Sequence, residues 1–419
     1  MSRPADAEQA EPASLPEGAR DVLPVESAEL AAIEASLRAA FAGFGYREVR
    51  TPLLEFADAM DRAQEGGIGR AYRLFDDHGE VLVVRPDLTI PVARLVAGRL
   101  AAHPGPLRVS YIAERLRPAP AGRAQRAEER QAGIELVGLP GAAADAEVVA
   151  LLATALRALG VSDLRIALGA VSLTRAVLDG LGVDESRQST LQEAARQRNL
   201  VAWRRAAEAL PLADDTRRLV VELPSMRGGD EVLARIAGAV PSAEPACRTL
   251  AGTLALLDAH GVREAVMVDL GVLRDWGYYS GIVFEVYAPG IGRPIAIGGR
   301  YDGLIGRFGA PRPAVGAAVL LDRLHEALAV RNGATAPMSG VVLSGGLEGE
   351  VAAARAIRAA GLNVVGVPDE PEVAERLAEV EGWRYVARRA GSGYTVTDRA
   401  TGSTIDCDDV VEGLRSLSS

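Results

Sequence analysis

Lysine is missing from this sequence: all 46 basic side chains are arginine. Schiff-base chemistry on a lysine amine is thereby excluded, as is the Walker phosphate loop, whose lysine is part of its mechanism. Cysteine is nearly absent. Cys247 and Cys407 cannot build a disulfide framework, and neither has a histidine nearby to suggest a metal site. The four histidines, His78, His103, His260 and His325, stand far apart and outside any metal-ligand spacing. No run approaches the roughly 18–20 uninterrupted apolar residues of a spanning helix, and the opening MSRPADAEQAEPAS lacks the apolar segment of a secretion signal. The expectation is a cytoplasmic protein with a disordered tail over residues 1–14, no membrane contact and no cofactor. A net charge of −10 argues against broad affinity for a phosphate backbone, which makes nucleic acid an unlikely partner.

What is present suits a globular chain of two or three domains, with 48% hydrophobic and 24% charged residues over 419 positions. A proline-bounded extended segment, LPEGARDVLP, leads into a helix whose apolar positions Leu30, Ile33, Leu37, Phe41 and Phe44 recur at helical spacing until Gly45. YREVRTPLLE reads as a strand, LFDDHGEVLVVR as a hairpin turning at His78 and Gly79, and residues 87–102 as an amphipathic helix opened by Asp87. Strands over 107–112 and 133–137 flank an arginine-rich, proline-rich loop, and a helix over 145–159 precedes the strand LRIALGAV. Residues 184–245 turn to Arg, Ala, Glu and Gln at helical periodicity, the signature of an inserted helical subdomain. Strands resume at VMVDLGVL, GIVFEVYAP and RPIAIGGRYD, and AVGAAVLLDRLHEAL is a buried strand leading into a helix. Residues 331–339 are a linker, and 340–419 open as a βαβ unit of a small separate domain. With eight arginines against thirteen acidic residues, that domain is a poor surface for RNA.

Several constellations could carry chemistry. In VVRPDLTIPVAR, Asp87 and Thr89 stand at the mouth of a helix, where they either cap it or bind an ammonium group. Gln131 and Glu135 fall on one face if RQAGIELVG is extended, and Glu135 is then at a solvent face or held for a ligand. LRDWGYYSGIVFEVY gathers five aromatic residues although aromatics are 4% of the chain; Tyr278 and Tyr279 are expected at the start of a strand, on opposite faces. Gly298 and Gly299 permit close approach of a ligand or another segment, and Arg300 caps or binds an anion. Arg115, Arg117, Arg123, Arg126 and Arg130 either bind phosphates or form a solvated mixed-charge loop.

Taken in order, LPEGARDVLP, YREVRTPLLE, RPDLTIPVAR, RQAGIELVG, RDWGYYSGIVFE, GGRYDGL and VGAAVLLDRL resemble the histidyl-tRNA synthetase lineage over about residues 15–330. The resemblance implies an α+β fold, a class II aminoacyl-tRNA synthetase-like, mostly antiparallel six-stranded sheet flanked by helices, which dimerises. It carries the helical insertion and ends in a small α/β domain similar to a shortened anticodon-binding domain. It also implies a histidine pocket: Asp87 and Thr89 toward the amino group, Arg274 toward the carboxylate, Tyr278 and Tyr279 around the imidazole, with Gln131 and Glu135.

The nucleotide side departs from the synthetase pattern. Arg117 matches the motif 2 arginine, but Pro118, Ala119 and Pro120 follow it; Arg323 matches the adenine-stacking arginine, but Leu320 stands where a glycine leaves room. RPDLT and LPEGARDVLP resemble the other branch of the lineage, the regulatory subunits of ATP phosphoribosyltransferase. That branch implies a non-catalytic protein in a hetero-oligomer with the short catalytic subunit, with histidine as effector of histidine biosynthesis. The alternatives are histidyl-tRNA synthetase activity and a histidine sensor with another client.

Overall fold

Apolar side chains three and four apart build α1 (Pro24–Gly43), which buries Ile33, Leu37 and Phe41 and half-buries Leu30 and Phe44, as the spacing predicts. The computed structural model describes residues 14–63, 67, 69–118, 126–197, 199–272, 278–332, 338–345, 350–368 and 370–418. They form two compact units, a body reaching to Arg331 and a smaller unit from Asn332 onward.

The body's early strands are β1 (Arg47–Glu48), β2 (Leu54–Phe56), β3 (Arg73–Phe75) and β4 (Val81–Val84). Then follow β5 (Leu107–Leu116), β6 (Glu128–Val137), β7 (Arg165–Ala170), β8 (Arg227–Gly228) and β9 (Val266–Asp269). The last are β10 (Ile282–Tyr287), β11 (Ala296–Arg300) and β12 (Ala314–Leu320). Nine of them make one sheet in the order β1-β5-β6-β12-β11-β10-β7-β9-β8. Its middle six, β5 through β7 in that order, are joined antiparallel throughout, as the resemblance implies. β1 and β9 add to it in parallel. The expected strand YREVRTPLLE is thus two short ones in different sheets, because β2 pairs with β4 in a separate three-stranded sheet. There β3 and β4 form the predicted hairpin, its turn tied by Asp76 to the N–H groups of His78 and Glu80.

Helices α2 (Ala57–Ala63), α3 (Thr89–Arg99), α4 (Ala142–Ala158) and α5 (Val171–Gly180) interleave with these strands. The insertion is helical as predicted, with α6 (Glu185–Arg196), α7 (Leu200–Glu208), α8 (Asp214–Glu222), α9 (Asp230–Ala239) and α10 (Glu244–Ala259). α11 (Leu321–Asn332) closes the body. One face of the large sheet is densely apolar: Ile134, Leu136, Ile166, Leu168, Phe284, Val286, Val315 and Val319 pack with residues of α4 such as Val148 and Leu152. The other face carries small residues at the corresponding positions, Gly133, Gly299, Gly316 and Ala318 in register across β6, β11 and β12. That alternation is period-two patterning, and on the small-residue side the space is taken up by the side chains of Tyr111, Glu135 and Tyr279.

Arg300 points into the packed side. It is buried and donates to Asp145 at 2.7 Å, to Asp302 at 3.0 Å and to the Gly141 carbonyl at the start of α4. It fills neither of the two expected roles: its donors go to two carboxylates and to carbonyls before α4, so it neither caps a helix nor faces an outside anion.

The smaller unit contains β13 (Met338–Ser344), α12 (Val351–Ala359), β14 (Asn363–Val367) and α13 (Pro371–Glu381). It continues with β15 (Trp383–Ala390), β16 (Gly393–Asp398), β17 (Thr404–Cys407) and α14 (Val410–Ser418). Its sheet runs β14-β13-β15-β16-β17, with β13 parallel to both neighbours, so the expected βαβ opening is present. Val341 and Leu343 join Ile357 and Leu414 on one face; Val342 joins Ala374 and Ala378 on the other.

Asp145→Ala would leave the Arg300 guanidinium buried without its closest carboxylate, and is expected to cost about 3 kcal/mol of unfolding free energy. Urea denaturation reads this directly; a loss below about 1 kcal/mol would mean that Asp302 and the backbone carbonyls suffice.

Candidate functional site

Glu135 lies at the centre of the small-residue face, with 1% of its surface exposed. β6 is extended across its whole length, so Glu135 and Gln131 do share a face. The Tyr301 hydroxyl donates to one oxygen of Glu135 and the Tyr111 hydroxyl reaches the other at 3.4 Å. The Thr89 hydroxyl is hydrogen-bonded within the same group, to Glu135, Tyr111 and Tyr278. The strand glycines make this possible: a Cβ on Gly316 would overlap the Glu135 carboxylate, and one on Gly133 would overlap the Tyr111 ring. Gly299 likewise leaves room for Tyr279, whose ring an added Cβ would meet at 2.7 Å, so its close approach is to a neighbouring segment of the same chain.

Burial drives the electrostatics. It pushes the Glu135 carboxyl up, with help from the Asp87 charge, and hydrogen bonds from Tyr301, Thr89 and Tyr111 pull it back only part of the way, to about 8. The phenols of Tyr111, Tyr278 and Tyr301 are held far above their ordinary range by burial first, then by the carboxylates of Glu135 and Asp87 at Tyr111 and Tyr278 and by Glu135 and Tyr278 at Tyr301. They therefore remain hydrogen-bond donors at every physiological pH.

Asp87 fills its capping role: its Oδ1 accepts the Ile90 N–H at 2.8 Å, although the helix proper begins at Thr89. The second oxygen retains acceptor capacity, so capping and ammonium binding are compatible. Tyr278 and Tyr279 do not begin β10 as expected; they precede it, because antiparallel pairing with β7 starts at Ile282 opposite Ala170. Instead of facing opposite ways they meet edge to face, centroids 4.9 Å apart and planes at 82°, and Tyr278 lies 5.5 Å from the Tyr301 ring.

The structure thus brings together Asp87, Thr89, Glu135, Tyr278 and Tyr279. Gln131 is drawn elsewhere: its amide donates to Glu129 at 3.2 Å. Arg274 lies outside the described residues, as do Ala119, Pro120 and Arg123. Sequence reasoning missed Tyr111 and Tyr301. Tyr301 had a signal, because it follows Gly299 by two positions and so inherits its face, whereas only its neighbour Arg300 was weighed. Tyr111 depended on strand register, pairing with Gly133 across β5 and β6.

The arginines assigned to a nucleotide site are engaged by groups of the body, although Arg117 stays exposed. Arg323 donates to the Pro294 carbonyl at 2.9 Å and to Glu129 at 3.3 Å. Arg115 grips the same Glu129, and although burial alone would raise that carboxyl, Arg115 and Arg323 outweigh it and hold it below its usual range. Arg117 donates to the Pro86 carbonyl at 2.7 Å. Arg126 pairs with Asp322, and Arg130 with Glu34 and Glu114. Among the described residues of this stretch, Arg115 and Arg130 belong to β5 and β6, and Arg115, Arg126 and Arg130 are paired with carboxylates of the body. Leu320 is buried directly opposite Gln131 in the β6–β12 register, on the pocket face.

An open cleft of about 640 Å³ lies farther along the sheet, over β7, β9 and β10. Its carboxylates are already engaged, Asp269 by Arg227 and the Gly271 N–H, and Glu285 by the Tyr287 hydroxyl. It is separate from the Glu135 pocket. Among the described residues, no group of His, Cys, Asp and Glu side chains is arranged to hold a metal ion, and no helix is long and apolar enough to cross a membrane.

The large sheet flanked by helices is a class II aminoacyl-tRNA synthetase-like fold, and residues 18–324 match the Histidyl-tRNA synthetase family. A crystal structure titled as histidyl-tRNA synthetase from Nostoc sp. PCC 7120 shares the fold at a TM-score of 0.80 and 20% identity, covering 96% of this chain and 99% of that one. Relatives at higher identity carry a narrower name. A protein of Moorella thermoacetica named ATP phosphoribosyltransferase regulatory subunit is 39% identical, covering 84% of this chain and 92% of its own; one of Rubrobacter xylanophilus with the same name is 37% identical over 92% and 93%. A structure from Bacillus halodurans C, titled ATP phosphoribosyltransferase regulatory subunit/histidyl-tRNA synthetase, superposes with a TM-score of 0.80 at 30% identity, covering 90% of this chain and 98% of that one. Within the histidyl-tRNA synthetase-like class, the chain belongs to the family of ATP phosphoribosyltransferase regulatory subunits.

The Glu135 carboxyl is raised on folding from 4.5 to about 8, so the folded state holds a proton that the unfolded chain gives up between those values. Its contribution to stability is present in full below about pH 4.5 and is lost as pH rises through about 8. The stability of Glu135→Gln relative to the parent should therefore increase with pH across that window; guanidinium melts at pH 5, 7 and 9 would show it, and a constant difference would refute it.

Proposed function

We propose that this chain is the non-catalytic regulatory subunit of an ATP phosphoribosyltransferase, acting in the cytoplasm. It binds the short catalytic subunit, is required for that subunit's activity in the first step of histidine biosynthesis, and passes on feedback inhibition by histidine. The observation that carries the reading is the contrast between two halves of one sheet face. The Glu135 side keeps a complete set of polar partners for an imidazole. The neighbouring side, where a nucleotide would lie, is closed by Leu320 and by the Arg115–Glu129–Arg323 cluster.

In this reading the imidazole enters between Glu135 and the phenols of Tyr278 and Tyr279, so that both ring nitrogens find partners when desolvated. Asp87, with Thr89, receives the ammonium group, and Arg274 the carboxylate. Inhibition follows if histidine binds one arrangement of the complex better than the other, a coupling typically worth about 1–3 kcal/mol. Leu320 buried on the nucleotide side and the engagement of Arg323 with Pro294 and Glu129 support the reading that this chain does not adenylate histidine.

Self-association is part of the proposal. The three-stranded sheet turns Leu54, Phe56, Leu74, Leu82 and Val84 to one side by register, and Leu54 and Phe56 are exposed. A contiguous apolar face of this kind marks an interaction surface. We assign it to a homodimer within the larger hetero-oligomer.

Mixing the chain with the short catalytic subunit should raise phosphoribosyl transfer and make it sensitive to histidine, while histidine-dependent ATP/pyrophosphate exchange stays at background. Robust exchange, or no complex and no activation, would end the regulatory reading. Calorimetry on Glu135→Ala and Tyr279→Phe should show histidine affinity weakened, the former by about 10-fold or more for loss of a charged hydrogen-bond partner. For the dimer, the double substitution Leu54→Asp and Phe56→Asp should halve the mass measured by sedimentation; an unchanged mass would move the interface elsewhere.

A further inference from the structure

We propose that the pocket takes up histidine together with one proton shared between Glu135 and the imidazole, so that affinity is greatest near neutral pH and falls on both sides. The inference rests on the histidine reading above and adds the charge state in which the site selects its ligand.

The argument begins with what surrounds Glu135. Tyr111 faces it from β5, Tyr301 from the residue after β11, Tyr278 from the segment before β10, and Thr89 and Asp87 from the mouth of α3. From β12 it meets only Gly316, and Tyr46 also feels its charge. Among the described residues placed against it there is no cation, and the one other charge in the group, Asp87, is negative. A fully buried carboxylate in such company is costly unless it is neutralised, either by a proton or by a cation. Without ligand the proton serves, which agrees with the carboxyl's upward displacement to about 8. The three phenols cannot substitute, because each can donate a hydrogen bond but none can bring a charge.

An imidazole offers the missing cation. A neutral acid meeting a neutral ring, and a carboxylate meeting an imidazolium, are the same complex with one proton in it, and the proton belongs to the pair. Free imidazole side chains gain their proton below about pH 6.5. Below that point ligand and site hold two protons between them and one must leave; above about 8 they hold none and one must be taken up. Selectivity follows as well. A ring of the same shape that cannot accept the proton leaves Glu135 as an acid facing a weaker partner.

The experiment is calorimetric titration of the full chain with L-histidine between pH 5.5 and 9, each point repeated in buffers of different ionisation enthalpy to count protons. The expected profile has its maximum near pH 7 and affinity roughly tenfold weaker at pH 5.5 and at pH 9, from the two limits of about 6.5 and about 8. Close to one proton should be released at the acid end, one taken up at the alkaline end, and none exchanged near the maximum. A parallel titration with 1,2,4-triazole-3-alanine, which has the same amino and carboxyl groups on a far less basic ring, should lose the acid limb. Glu135→Gln titrated with histidine should lose the alkaline limb. Binding that is flat in pH without proton exchange, or an alkaline limb unchanged in Glu135→Gln, overturns proton sharing and leaves the histidine site standing. Absence of histidine binding at every pH overturns the site assignment itself.

Discussion

A buried carboxyl group with no cation beside it among the described residues sets the terms for the rest of this structure. Glu135 sits in the middle of a sheet, almost without solvent, and every group that reaches it is a hydroxyl. To make room for that side chain and for the rings that attend it, β6 itself, β12 and β11 give up side chains at Gly133, Gly316 and Gly299. The opposite face packs apolar side chains against α4 and the neighbouring helices. One face thus supplies the apolar cohesion and the other carries the polar cluster.

The nucleotide half illustrates how a set of arginines can keep its positions and change its work. Arg115 lies within β5 instead of in a loop and Arg117 just past its end, and with Arg323 they donate to Glu129 and to the carbonyls of Pro86 and Pro294. Guanidinium groups suit this because their planar fork satisfies two acceptors at once, and a chain without lysine has no other cation to deploy. Leu320 completes the closure with bulk instead of charge.

Much of the frame was legible in the sequence because it is local. The periodicity of Leu30 to Phe44, the Asp76–Gly79 turn and the cap at Asp87 each depend on residues within a few positions, and each appears where the spacing places it. The site was legible through ordered motifs, which named Asp87, Thr89, Glu135, Tyr278 and Tyr279 before any of them was seen to converge. What failed was long-range. Whether Tyr278 and Tyr279 belong to a strand is decided by where β7 stops pairing, more than a hundred positions earlier in the chain. Gln131 follows Glu129, which in turn answers to Arg115 and to Arg323 on α11. Tyr111 is recognisable only once β5 is laid against β6 in register.

The glycine positions across β6, β11 and β12 have a consequence for motion. Glycine holds a strand less firmly than any residue with a side chain, and here three neighbouring strands carry it on one face, where rings and a carboxylate from other positions fill the space instead. Backbone order in β6, β11 and β12 therefore rests on Tyr111, Tyr279 and Glu135 keeping their places. Side-chain packing and backbone order are one quantity there, and whatever moves those side chains changes the stiffness of the sheet with no hinge or lid needed.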